Sequence, residues 1–127
     1  MDRHARRTFD KTDHAPVEAR RFARECLDAW DLTEVTEQIL LAVSEVTTNA
    51  VVHGSGPIDV AMDLTSDRLR VTVTDHGGGN TAALHRPDTS EAGGWGLHLV
   101  DTVADDWGTE RRHGRTVVWF DHALLAE

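Results

Sequence analysis

The sequence predicts an α+β two-layer sandwich, a mixed and mainly antiparallel sheet with helices packed on one face. Three observations point there. Residues 17–53 carry apolar stripes of helical period. Residues 58–73 and 107–121 each hold two short alternating segments that read as hairpins. Between them stand a glycine-rich stretch and one more helical segment. The 127 residues are expected to form one domain, and 39% hydrophobic residues suffice to build its core.

The first dozen residues are charged. Arg7–Lys11 reads as a short edge strand or as a frayed arm, and in the second reading residues 1–8 are disordered. Pro16 sits where a first helical turn tolerates proline. Val17 to Trp30 is then expected to be a helix, with Val17, Phe22, Cys26, Leu27 and Trp30 on its inner side. Arg20, Arg21 and Arg24 lie on the other side, either as a solvated face or as a partner-docking patch. Thr33 is expected to cap a second helix, with Glu34 and Glu37 in its first turn. That helix runs to about His53 and stops at Gly54-Ser55-Gly56-Pro57. Ile39, Val43, Val46 and Ala50, spaced 4, 3 and 4 apart, form its core stripe.

Ile58, Val60, Met62 and Leu64 alternate with polar or small residues, as do Leu69, Val71 and Val73. One face of this hairpin is buried and one is wet, with Ser66-Asp67 at the turn. The pattern collapses from Gly77 to Gly94. A loop this long in a small domain is usually functional. A third helix begins near Trp95 and turns Leu97, Val100, Val103 and Ala104 inward. Trp107–Arg112 and Arg115–Asp121 form the second hairpin, turning at His113-Gly114.

Thirteen Lys and Arg against 22 Asp and Glu give a formal charge of −9. Nucleic acid is therefore not the expected partner, because binding phosphate chains needs a basic surface. No apolar run is long enough to span a membrane. The charged N-terminus shows no apolar signal core, so a cytoplasmic location is expected. The single cysteine, Cys26, excludes an internal disulfide and a multi-cysteine metal site. The eight histidines are scattered without ligand spacing. Four tryptophans in so small a chain suggest an exposed aromatic patch and self-association.

Three constellations carry chemistry. Glu45, Asn49 and His53 are each four apart and form one line beside the core stripe of the second helix. An amide oxygen and a carboxylate there suit a hard cation such as Mg²⁺; the other reading is a plain half-exposed helix edge. Asp75 ends the inward row of the second strand, followed by His76-Gly77-Gly78-Gly79. It would accept from the exocyclic amine of a purine, or it caps its own turn. Gly93-Gly94-Trp95-Gly96-Leu97 opens the third helix, where free N–H groups favour phosphate, or it is an ordinary flexible start.

Taken in order, these residues resemble the GHKL ATPase superfamily, which includes gyrase and the histidine kinases. Ser44-Glu45-Val46-Thr47-Thr48-Asn49-Ala50-Val51-Val52-His53-Gly54 resembles its N-box. Asp75-His76-Gly77-Gly78-Gly79 fits its DxGxG box, and Gly94-Trp95-Gly96-Leu97 its GxGL box. The form of the first box, and Thr116–Phe120 as a last strand, are most similar to the small anti-sigma factor serine kinases. The resemblance runs from about Phe9 to Asp121.

It implies a single histidine kinase-like ATPase domain with the Bergerat ATP-binding fold. Glu45 would be the general base and Asn49 the Mg²⁺ ligand, with His53 on the nucleotide side of the same line. Asp75 would accept from the adenine amine. Gly77 and Gly79 would admit the base, and Gly94, Gly96 and Leu97 would turn backbone amides to the phosphates. The stretch 77–94 would hold the ATP lid, with Arg86 either near the γ-phosphate or solvated. The implied activity is transfer of phosphate from ATP to a serine or threonine of a STAS-domain anti-anti-sigma factor, coupled to sequestering a sigma factor. Arg20 and Arg24 would dock the STAS partner, and a homodimer is implied. The alternative is a non-catalytic, nucleotide-responsive protein-binding module.

Overall fold

The computed structural model of the chain describes residues 2–76 and 95–124, and of residues 95–98 the backbone alone. In chain order the elements are β1 (Arg3–Phe9), α1 (Ala15–Ala29), a 3₁₀ turn (Thr33–Val35), α2 (Thr36–His53), β2 (Ile58–Leu64), β3 (Arg68–Asp75), α3 (Trp95–Val103), β4 (Asp106–Arg112) and β5 (Arg115–Ala123). The five strands lie in the order β1-β2-β3-β5-β4, and every neighbouring pair is antiparallel. The expected α+β layers are present, but among the described residues the sheet is antiparallel throughout rather than mixed.

The N-terminal segment is a strand. Arg3 to Phe9 pairs with Leu64 to Ile58 along the whole of β2, so residues 3–8 are not a disordered arm. Phe9 is buried and meets Phe22 of α1 edge-on, which fixes that strand against the first helix.

Alternation along the strands divides the sheet into two unlike faces. Inward rows supply Ile58, Val60, Met62, Leu64, Leu69, Val71, Val73, Val118 and Phe120 to one core, shared with Leu27 of α1 and Ile39, Val43 and Val46 of α2. Each such side chain contributes roughly 1.5–3 kcal/mol on burial. The opposite face is polar. There Arg70 makes two hydrogen bonds to the buried Asp121 (2.7 and 2.8 Å) and lies 4.4 Å above the Trp119 ring.

Helix α2 is central: α1 packs on one side of it, α3 on another, and β3 beneath it. Its predicted stripe of Ile39, Val43, Val46 and Ala50 is buried. Three local expectations need correction. Val17 is 46% exposed; it lies two residues, about 200°, from Ala15, and the buried stripe of α1 is Ala15, Ala19, Phe22, Ala23, Cys26 and Leu27. Thr33 makes no capping bond, because the chain first takes a 3₁₀ turn. Thr36 then starts α2, and its buried hydroxyl donates to the Leu32 carbonyl. The tryptophans form no exposed patch among the described residues. Trp107 is buried with its Nε1 donating to Asp101, Trp30 packs against the core, and Trp119 lies under Arg70.

Candidate nucleotide-binding site

Helix α2 delivers the first group of candidates. Its unbroken span from Thr36 to His53 places Glu45, Asn49 and His53 on one line, and all three are half-buried. The neighbouring threonines are occupied locally: Thr47 donates to the Val43 carbonyl and Thr48 to that of Ser44. Asn49 differs. Its Nδ2 is buried and has no hydrogen-bond partner among the described residues. A buried amide end without a partner costs about 1–3 kcal/mol, and a phosphate oxygen would satisfy it. Its other end, Oδ1, is the hard oxygen donor that Mg²⁺ prefers. The donor set fits a magnesium nucleotide.

Strand β3 delivers the second. Asp75 continues the inward row of Leu69, Val71 and Val73, and it is buried at 5% exposure. The end of α2 comes directly against it. An ideal Cβ built on Gly54 would stand 2.5 Å from both Cγ and Oδ2 of Asp75. The turn that follows is tied to the same place, since the His76 N–H donates to the Ser55 carbonyl (3.0 Å). The first two sequence boxes thus meet where α2 ends and β3 ends.

The third box is described in part. Gly96 and Leu97 lie in the first turn of α3, the helix that packs on α2. Gly77, Gly79, Gly94 and the remainder of the expected lid, 77–94, lie outside the described residues. Of the arginine candidates on α1, Arg20 is exposed, and Arg24 reaches Glu37 in the first turn of α2 (3.5 Å). A separate cleft of about 360 Å³, lined by Arg7, Thr8, Phe9, Asp10, Glu18 and Arg21, shares no residue with Glu45, Asn49, His53 or Asp75.

Sequence reasoning missed a cluster beside the site. By period two His76 points away from Asp75, onto the polar face of the sheet. There its Nε2 lies 3.1 Å from Oδ2 of Asp59. Asp59 also accepts from the Thr8 hydroxyl (2.5 Å) and from Arg6 (3.3 Å), and it is buried. Burial pushes the Asp59 carboxyl up, but the hydrogen bonds from Thr8 and His76 and the charge of Arg6 outweigh it and hold it below the ordinary aspartate range. The cluster joins β1, β2 and the residue after Asp75. The signal that could have found it is the register Thr8↔Asp59↔Thr74, which only the folded sheet reveals.

A carboxyl depressed by folding stabilises the fold above its unfolded pKa, and that gain is lost as pH falls through the folded value. Asp59→Asn is therefore expected to lower stability at neutral pH by roughly 2 kcal/mol, the scale of hydrogen bonds to a charged group. Urea unfolding across pH should show the deficit fading in the acid range, below the ordinary aspartate pKa. A deficit that stays constant down to pH 2 would contradict this account.

Comparison with known proteins bears on the family of the chain. A family model described as the histidine kinase-like ATPase domain matches residues 9–121. The serine-protein kinase RsbW of Bacillus subtilis (strain 168) is 32% identical over 97 residues, covering 64% of this chain and 61% of that protein. RsbW of Bacillus pumilus is 32% identical over 102 residues, covering 66% of this chain and 63% of its own length. The chain thus spans about three fifths of the curated relatives it matches. Among solved structures, the RsbU and RsbW domains of a Mycobacterium tuberculosis protein align over 98% of this chain and 34% of theirs, with TM-score 0.70 and 24% identity, which is a likeness of fold. With all three sequence boxes inside the matched span, the chain belongs to the histidine kinase-like ATPase domain family, as an RsbW-like member of the GHKL ATPases.

Proposed function

We propose that this chain binds ATP with Mg²⁺ and transfers the γ-phosphoryl group to a serine or threonine of a STAS-domain anti-anti-sigma factor. It sequesters a sigma factor when that partner is phosphorylated. The observation that carries the reading is the convergence of a buried acid, Asp75, with the end of the helix that bears Asn49 and its unpartnered amide. The names of the RsbW relatives support a serine-protein kinase.

In this reading Asp75 accepts from the adenine amine, and Gly77 and Gly79 admit the base beside it. Asn49 holds Mg²⁺ through Oδ1, and His53 lines the same side. Gly94, Gly96 and Leu97 turn backbone amides to the phosphates at the start of α3. Bound Mg²⁺ supplies neutralisation of triphosphate charge. Glu45 takes the proton of the attacking hydroxyl while its oxygen bonds the γ-phosphorus and ADP leaves. Positioning and charge do most of the work in such transfers, so one base suffices. Arg20 and Arg24 dock an acidic face of the STAS protein, and two copies of the chain associate. A cytoplasmic setting completes the proposal. Among the described residues no helix is long and apolar enough to cross a membrane.

The test mixes the chain, Mg²⁺, γ-labelled ATP and a purified STAS-domain protein from the same source. Label on a serine or threonine of the STAS protein is expected, with a raised KM for that protein in Arg20→Ala and Arg24→Ala. ATP binding without label on any STAS protein would replace this reading with the non-catalytic module.

A further inference from the structure

Gly54 has no assigned role in the site, yet a Cβ at its position would stand 2.5 Å from the Asp75 carboxyl group. We propose that Gly54 is a positioning residue that sets the depth and orientation of the Asp75 carboxylate, and through it the choice of adenine. The inference rests on the nucleotide reading above.

Backbone conformation does not require glycine here. Gly54 has φ −98° and ψ −168°, an extended conformation open to any residue. Its N–H closes α2 normally, on the Ala50 carbonyl at 2.9 Å. Space is what requires it. An ideal Cβ would stand 2.5 Å from Asp75 Cγ, 2.5 Å from its Oδ2 and 2.7 Å from the Ala50 oxygen. All three distances are inside any real carbon contact, so even alanine forces a shift.

The Ala50 contact is with backbone and strains the helix end itself, whereas the two Asp75 contacts fall on the far end of a side chain whose own backbone has little room, so there it is the carboxylate that yields. The His76 N–H is held by the Ser55 carbonyl, and the His76 ring by Asp59. Gly56, in the left-handed region at φ +72°, has its own ideal Cβ position 3.1 Å from His76 Cβ. The turn 54–56 therefore lies flat against residues 75–76. With the strand end pinned on both sides, a methyl on Gly54 must turn or push the Asp75 side chain. Recognition groups need placement within about 0.5 Å, and this displacement approaches that size or exceeds it. A carboxylate turned away no longer meets an amine. It also no longer repels the carbonyl oxygen that guanine presents at the same edge, so discrimination falls with affinity.

The experiment is calorimetric titration of wild type, Gly54→Ala, Asp75→Ala and the double variant with ATP and GTP, alongside thermal unfolding of each. Gly54→Ala is expected to weaken ATP at least tenfold and to narrow the preference for ATP over GTP. In the Asp75→Ala background the same change should cost no further ATP affinity. A merely structural role would lower the melting temperature without moving the ATP-to-GTP ratio. Wild-type affinity in Gly54→Ala, or an equal loss in both backgrounds, would overturn the proposal. If Gly54→Ala does not fold, recovery of folding in the double variant supports the contact with Asp75. Failure of both would assign the clash to the Ala50 carbonyl and overturn the proposal. If wild type binds no ATP, the nucleotide reading itself fails. The unfolding data then decide separately whether Gly54 sets Asp75.

Discussion

Asp75→Ala is expected to weaken ATP binding by two to three orders of magnitude while the fold survives. The proposed adenine contact is a hydrogen bond to a buried charged acceptor, worth roughly 1.5–3 kcal/mol, and its removal strands the purine amine at a further cost of about 1–3 kcal/mol. At 1.4 kcal/mol per tenfold, two to three orders of magnitude are about 2.8–4.2 kcal/mol, which lies within that sum. Guanine offers an oxygen where adenine offers the amine, so GTP should gain relative to ATP. Asp75 closes an inward apolar row at 5% exposure, so alanine there is compatible with the core beside it. Titrations with both nucleotides and a thermal melt check the two halves. Unchanged ATP affinity in a folded variant would remove Asp75 from the site.

The second large effect is on chemistry. Glu45→Gln is expected to lower the rate of phosphoryl transfer about 10²- to 10⁴-fold, the usual contribution of a general base. ATP affinity should stay near the wild-type value, because glutamine keeps the shape of the side chain and Glu45 is proposed to meet the acceptor hydroxyl rather than the base. Glu45 is half-buried one helical turn before Asn49, as a group between solvent and a phosphate site would be. Single-turnover transfer to the STAS protein measures the rate, and equilibrium titration measures affinity. A variant that loses both together would mean that Glu45 supports nucleotide binding instead.

The strands were legible because alternation is a local property. Ile58 to Leu64 and Leu69 to Val73 sit inside β2 and β3, and the turn at His113-Gly114 separates β4 from β5. Helix faces were less legible at their ends. Val17 is apolar but falls off the stripe, and the small Ala15 and Ala19 take the buried places. The inward acid Asp75 followed from counting by two. Asp59 did not, since its burial depends on Thr8 and Arg6 arriving from β1 and on His76 arriving from the end of β3. Gly54 was readable as a helix stop, but its contact with Asp75 belongs to tertiary packing. Base and phosphate contacts for Gly77, Gly79 and Gly94 were implied by the family resemblance alone, and those positions lie outside the described residues.

Nucleotide binding itself is tested by titrating the purified wild-type chain with ATP in the presence and absence of Mg²⁺, and with GTP. Saturable one-to-one binding of ATP is expected, tighter with Mg²⁺ and tighter than GTP. Absence of binding heat for ATP at several temperatures, with or without the metal, would contradict it.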